Sequence, residues 1–110
     1  DYILNVENDS KTEVKSGNKT TTVNKGNKTT TVKMGDITTK ASAGKILVQA
    51  AKSIELKVGG SSIKIEPAKI TIKSVQIAVE ASAKLDAKGT MVSINGSAMT
   101  DIKGGLVKIN

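Results

Sequence analysis

GNKTTTVNK at 17–25 runs directly into GNKTTTVKM at 26–34, and a further glycine follows at Gly35. Glycines recur at Gly17, Gly26, Gly35 and Gly44, and Val14, Val23 and Val32 keep the same nine-residue step. A repeat this short makes one strand and one corner, with too little apolar surface to stand alone, so neighbouring units must stack. The Lys-Thr-Thr-Thr-Val run in each unit is rich in β-branched residues, which suit a pleated strand, while Gly and Asn supply the corner. The reading is an all-β chain, one strand per repeat of roughly nine residues.

Composition narrows the architecture. The 110 residues include no Phe, Trp, Cys or His, one Tyr (Tyr2) and one Pro (Pro67). A globular core normally draws on large aromatics, so 37% hydrophobic with 1% aromatic content points to a thin core of small branched residues. Without cysteine there is no disulfide and no thiol chemistry. The apolar runs are too short for a membrane span, and the opening at Asp1, with neither methionine nor a leader, leads us to expect an excised or processed fragment. The formal charge of +7 comes from lysine alone, since arginine is absent. Nucleic-acid binders rely on Arg for bidentate contacts and on aromatics for stacking, so nucleic acid is not an expected partner; the lysines read as a solvated strand face.

Along the chain, 1–13 reads as an opening segment, a short strand running into a turn. The repeat region spans 14–110, with a Thr/Val/Gly nonapeptide half over 14–44 and an aliphatic half over 45–110. In the second half Ile46 and Val48, then Ile54, Leu56 and Val58, Ile63 and Ile65, Ile70 and Ile72, and Val75, Ile77 and Val79 alternate at a spacing of two, the mark of strands with one buried face. The corners between them are Gly59-Gly60-Ser61-Ser62, Glu66-Pro67-Ala68-Lys69 and Lys73-Ser74. A glycine is expected in the second of these and is missing. Residues 46–58 and 79–88 also fit a helical pattern, but a helix there would break the stack on both sides, so strands are expected.

Such strands must close against something. A nine-residue unit is short for a single-chain solenoid, whereas three identical chains around one axis close by symmetry, each supplying a face of a triangular prism. In that arrangement every strand pairs with strands of the other two chains. The core would hold Val14, Val23, Val32, Ile46, Val48, Ile54, Leu56, Val58, Ile63, Ile65, Ile70, Ile72, Val75, Ile77 and Val79. At one inter-strand spacing per unit, about twelve units give a rod of roughly 60 Å.

The run SIELKVGGSSIKIEPAKITIKS at 53–74, preceded by the TTTV nonapeptides and followed by MVSINGSAMTDIKGGLVKIN at 91–110, resembles the C-terminal needle of VgrG, the spike protein of bacterial type VI secretion systems. The resemblance covers nearly the whole chain and implies an intertwined, trimeric, triple-stranded β-helix similar to the membrane-puncturing needle of contractile phage tails. It implies further that the needle follows a base, absent here, seated on a tube of Hcp rings, and that a PAAR-type cone caps its far end. Effectors would travel with the tip, and the target membrane would be met transiently. The assembled protein would sit in the bacterial cytoplasm before secretion into target cells. Leu106, Val107 and Ile109 are the candidate docking residues for the cone.

No cofactor and no metal site is expected, and no catalytic residue is assigned. The chain carries no His, no Cys and no Gly-x-Ser-x-Gly elbow, and Glu55, Glu66, Glu80 and Asp86 read as solvated strand positions. The Thr20-Thr21-Thr22 and Thr29-Thr30-Thr31 ladders could instead form a hydroxyl array for ice or sugars. A phage tail-spike needle, or a surface-binding β-solenoid or adhesin fragment, is the alternative to the secretion spike.

Overall fold

The computed structural model describes residues 1–110 and is all-β, with three strands and no helix. The chain divides into two units, Asp1–Ile46 and Leu47–Asn110.

In the first unit the backbone turns sharply at 7–8, 15–17, 24–26, 33–35 and 42–44, so the last four bends fall nine residues apart. Gly17, Gly26 and Gly35 occupy equivalent places in these bends with φ of 100°, 97° and 108°. An L side chain is strained at such angles, which explains why the repeat places glycine there. No segment of this unit is paired as a strand within the chain. Val14, Val23 and Val32 keep matching exposures of 47%, 48% and 42%, so the chemical period is also a geometric one.

The second unit opens with a bend at 51–52, one more nine-residue step, and then forms an antiparallel meander. Strand β1 (Ile54–Val58) pairs with β2 (Ser61–Ile65), and β2 pairs with β3 (Ile70–Lys73), in the order β1-β2-β3. This corrects the expectation that every strand finds its partners in other chains: over 54–73 the partners lie in the same chain. The reason is local. Only Gly59 and Gly60 separate the paired residues Val58 and Ser61, and φ is 55° at Gly59 but not positive at Gly60, the sign pattern of a type II′ hairpin turn. Ser61 and Ser62, expected in the corner, already belong to β2.

The second turn explains its missing glycine. The Glu66 N–H donates to the Lys69 carbonyl at 2.9 Å, and the Lys69 N–H returns a longer bond to the Glu66 carbonyl at 3.4 Å. The pair closes the chain around Pro67-Ala68, and neither residue has a positive φ. Proline supplies the first central angle of an ordinary turn that accepts most residues in second place.

After β3 the bends fall at 75, 82–83, 90–91, 97–98 and 105–106, so the step shortens to seven or eight residues. The nine-residue step, expected to dominate over 14–44, thus runs one unit further, to the bend at 51–52, and the later units are shorter. Gly89, Gly96 and Gly104 each stand one residue before a bend, and their constraint is space. A Cβ on Gly96 would collide with the Met99 carbonyl, and one on Gly89 or Gly104 would lie 3.1 or 3.2 Å from the carbonyl oxygen two residues on.

Candidate functional site

The register of the meander sorts its side chains into two faces. On one, Ile54, Ile65 and Ile70 form a row across the three strands, and Leu56, Ile63 and Ile72 form the next. Val58 and Ser61 continue into a third row, and Ser74 completes it by extension of the same register. The other face carries Glu55, Lys64 and Thr71 in one row and Lys57, Ser62 and Lys73 in another. This is the alternation that the Ile-x-Ile pairs encode.

The apolar face is open. Ile63 and Ile65 of the central strand are 40% and 41% exposed, and Val58 at the margin is 83% exposed. The two serines on this face are linked, Ser61 Oγ to Ser74 Oγ at 2.7 Å. Hydroxyls that satisfy one another are less costly to cover than free ones, so even the polar corner of the face is suited to burial. Ile77 adds to the rim of a shallow groove lined by Leu56, Val58, Ile63 and Ile72. A second depression at the other end of the sheet involves Ala50, Ala51, Ile54, Ile65 and Pro67.

Openness is general in the chain. No residue is buried, and every Val, Ile, Leu, Met and Tyr is exposed except the half-buried Ile54. The accessible surface is 12335 Å², about twice the roughly 5,800 Å² that a compact monomer of this mass exposes. Outside 54–73 no backbone–backbone hydrogen bond forms within the chain.

Of the candidate core residues, the meander brings together Ile54, Leu56, Val58, Ile63, Ile65, Ile70 and Ile72. Val14, Val23, Val32, Ile46, Val48 and Val79 stay outside this cluster and are exposed. Val75 occupies a bend and is fully exposed. In the proposed docking segment Leu106 and Ile109 are 86% and 85% exposed and Val107 is 47% exposed. The Ser61–Ser74 pair escaped sequence reasoning, although its signal was available: once β2 and β3 are registered, these residues fall opposite one another.

The charged groups form no constellation. The three ion pairs, Lys11–Glu13 at 3.5 Å, Lys84–Asp86 at 3.6 Å and Asp101–Lys103 at 3.7 Å, join exposed residues two apart. That spacing places both members on one side of an extended backbone, and such pairs contribute at most about 1 kcal/mol each. No group of three or more His, Cys, Asp or Glu residues is arranged to hold a metal ion. Comparison with models of protein families, with curated proteins and with solved structures finds no match to this chain.

Proposed function

We propose that this chain is one third of a trimeric, triple-stranded β-helix that serves as the membrane-puncturing needle of a contractile injection machine, the VgrG-type spike of type VI secretion. The observation that carries the reading is the ladder of regular bends over 15–52 and 75–106 in segments whose backbone groups have no partner within the chain. Backbone N–H and C=O groups require partners when they leave water, and a regular backbone that makes none internally is organised to make them with other chains. Three-fold symmetry supplies those partners and closes the edges, while Val14, Val23, Val32 and the apolar face of β1–β3 turn to the common axis.

The role follows from the chemistry of such a rod. Its core would consist of small branched side chains, its backbone would be paired throughout, and its surface would carry lysine and threonine. That makes a stiff mechanical part, and the resemblance of 53–74 and 91–110 to the VgrG needle gives the part its place. The exposed Leu106, Val107 and Ile109, in a segment without internal backbone bonds, offer strand edges to a PAAR-type cone. A base preceding the needle would join it to the Hcp tube, and effectors would ride at the tip. The assembled spike would wait in the bacterial cytoplasm and reach the target cell by injection.

Oligomeric state tests the proposal. Light scattering should give three times the chain mass of 11.4 kDa at all concentrations where circular dichroism shows β-structure. A folded monomer would overturn it in favour of a solenoid or adhesin.

A further inference from the structure

Within the nonapeptide half, 14–35 carries only positive charge, and the nearest acids lie outside that stretch, at Asp36 and in 1–13. Residues 14–35 contain Lys15, Lys19, Lys25, Lys28 and Lys33 and no acidic residue, whereas 1–13 hold Asp1, Glu7, Asp9 and Glu13 against Lys11 alone. All five lysines are exposed, and none takes part in an ion pair. Their placement follows the repeat. Lys15, Lys25 and Lys33 fall within the successive bends 15–17, 24–26 and 33–35, and Lys19 and Lys28 each stand two residues after a left-handed glycine.

Stacking turns this pattern into columns. In the three-chain helix, on which this inference rests, consecutive units lie about 4.8 Å apart, so Lys19 and Lys28, at matching points, face one another as like charges, while Lys15, Lys25 and Lys33 stand at differing points of the successive corners. Three copies close the columns into a belt of fifteen ammonium groups, from the five per chain in 14–35. Like charges in adjacent strands oppose the fold unless anions lie against them. Thr, Asn and Ser side chains beside them add hydrogen-bond donors, and Val14, Val32 and the exposed Met34 flank Lys15 and Lys33.

We infer that the belt formed by Lys15, Lys19, Lys25, Lys28 and Lys33 is a docking surface for the phosphate headgroups of an anionic bilayer. Lysine interacts with phosphate as a point charge, and polybasic segments are drawn to anionic lipid in this way. The segment holds no arginine to read guanine and no aromatic residue on which a base could stack, features that would favour a nucleic acid. A sheet of closely spaced phosphates matches a ring of charges that faces outward on all sides. The belt deepens the needle reading by naming where the shaft touches the membrane it crosses and through which chemistry.

The test is co-sedimentation of the full chain with vesicles of phosphatidylglycerol or of phosphatidylcholine, with light scattering of each protein before lipid is added. Binding to phosphatidylglycerol should weaken with salt, and replacing the five belt lysines by Gln should lower the vesicle partition coefficient by more than about tenfold. Changing five lysines elsewhere, Lys57, Lys64, Lys73, Lys84 and Lys88, to Gln should lower it by no more than about twofold. Equal losses in the two variants would overturn the belt and leave only net charge. Equal binding to phosphatidylcholine, or tighter binding to duplex DNA than to phosphatidylglycerol, would overturn the ligand. If the unsubstituted chain scatters as a monomer, the trimeric needle falls and the columns fall with it. A trimer indifferent to phosphatidylglycerol removes the belt alone.

Discussion

Glycine at 26 and glycine at 44 stand eighteen residues apart in the same repeat, yet backbone geometry requires only the first. Gly26 has φ of 97°, while Gly44 lies outside the left-handed region and a Cβ on it would meet nothing within 4 Å. Gly26→Ala should therefore destabilise by about 1–2 kcal/mol per chain, through the steric conflict of a left-handed L residue. Gly44→Ala should be neutral or stabilise by about 0.4–1 kcal/mol, because it narrows the unfolded ensemble. Thermal unfolding followed by circular dichroism reads both, and equal shifts would show that the corner conformation at 26 is not what the repeat protects. The spacing of the glycines was legible in the sequence. The release of Gly44 from the left-handed geometry was not, since the letter is the same.

The meander fixes which side chains share a face, and Ile63 and Lys64 sit at its centre on opposite sides. Ile63→Asp would place a carboxylate in the middle of six aliphatic side chains and, if that face closes on other copies, bury it three times over. Assembly should be lost. Lys64→Asp would set a second acid opposite Glu55, a cross-strand repulsion on the order of 0.2–1 kcal/mol, and the trimer should survive. Sedimentation of the two variants decides the matter; equal tolerance would mean that the apolar face is not the one covered. The faces themselves could be read from the alternation at a spacing of two. That these strands pair within one chain could also have been read, because Gly-Gly between two alternating runs is a hairpin signal. Counting Ser61 and Ser62 into the corner hid it. Residues 46–58 and 79–88, open to a helical reading, contain no helix; of the strands expected there only β1 at 54–58 forms, and 46–53 and 79–88 are bent, unpaired chain.

Across the full chain, hydrogen bonding is concentrated in 54–73, and everything else is regular without being internally bonded. Spacing made the corners visible in the sequence, whereas the expected thin core does not form within one chain, where no residue is buried, and an interface with other copies would leave no spacing of its own. The proposal makes amide exchange over 14–44 a concentration-dependent property. Amides there should be protected in concentrated solution and lose protection together with the trimer on dilution. Protection that persists in a monomer would place their partners within the chain.

The near-identity of 17–25 and 26–34 has a consequence for how three such chains would find one another in the proposed trimer. Sliding one chain along the axis by nine residues sets the same Thr-Thr-Thr-Val run against its neighbours, so the repeats alone tolerate an offset assembly nearly as well as the aligned one. The meander alone does not forbid it, since an offset of nine carries the turn at Gly59-Gly60 onto Ala68-Lys69 and β2 onto β3. After Val75 the bends are seven or eight residues apart, so the same offset displaces them by one or two residues, and a slip of one reverses which side chains face inward. If the proposed trimer forms, the shorter steps after Val75 would be the notch that admits a single alignment, with the threonine repeats falling into step behind it like the thread of a screw already started true.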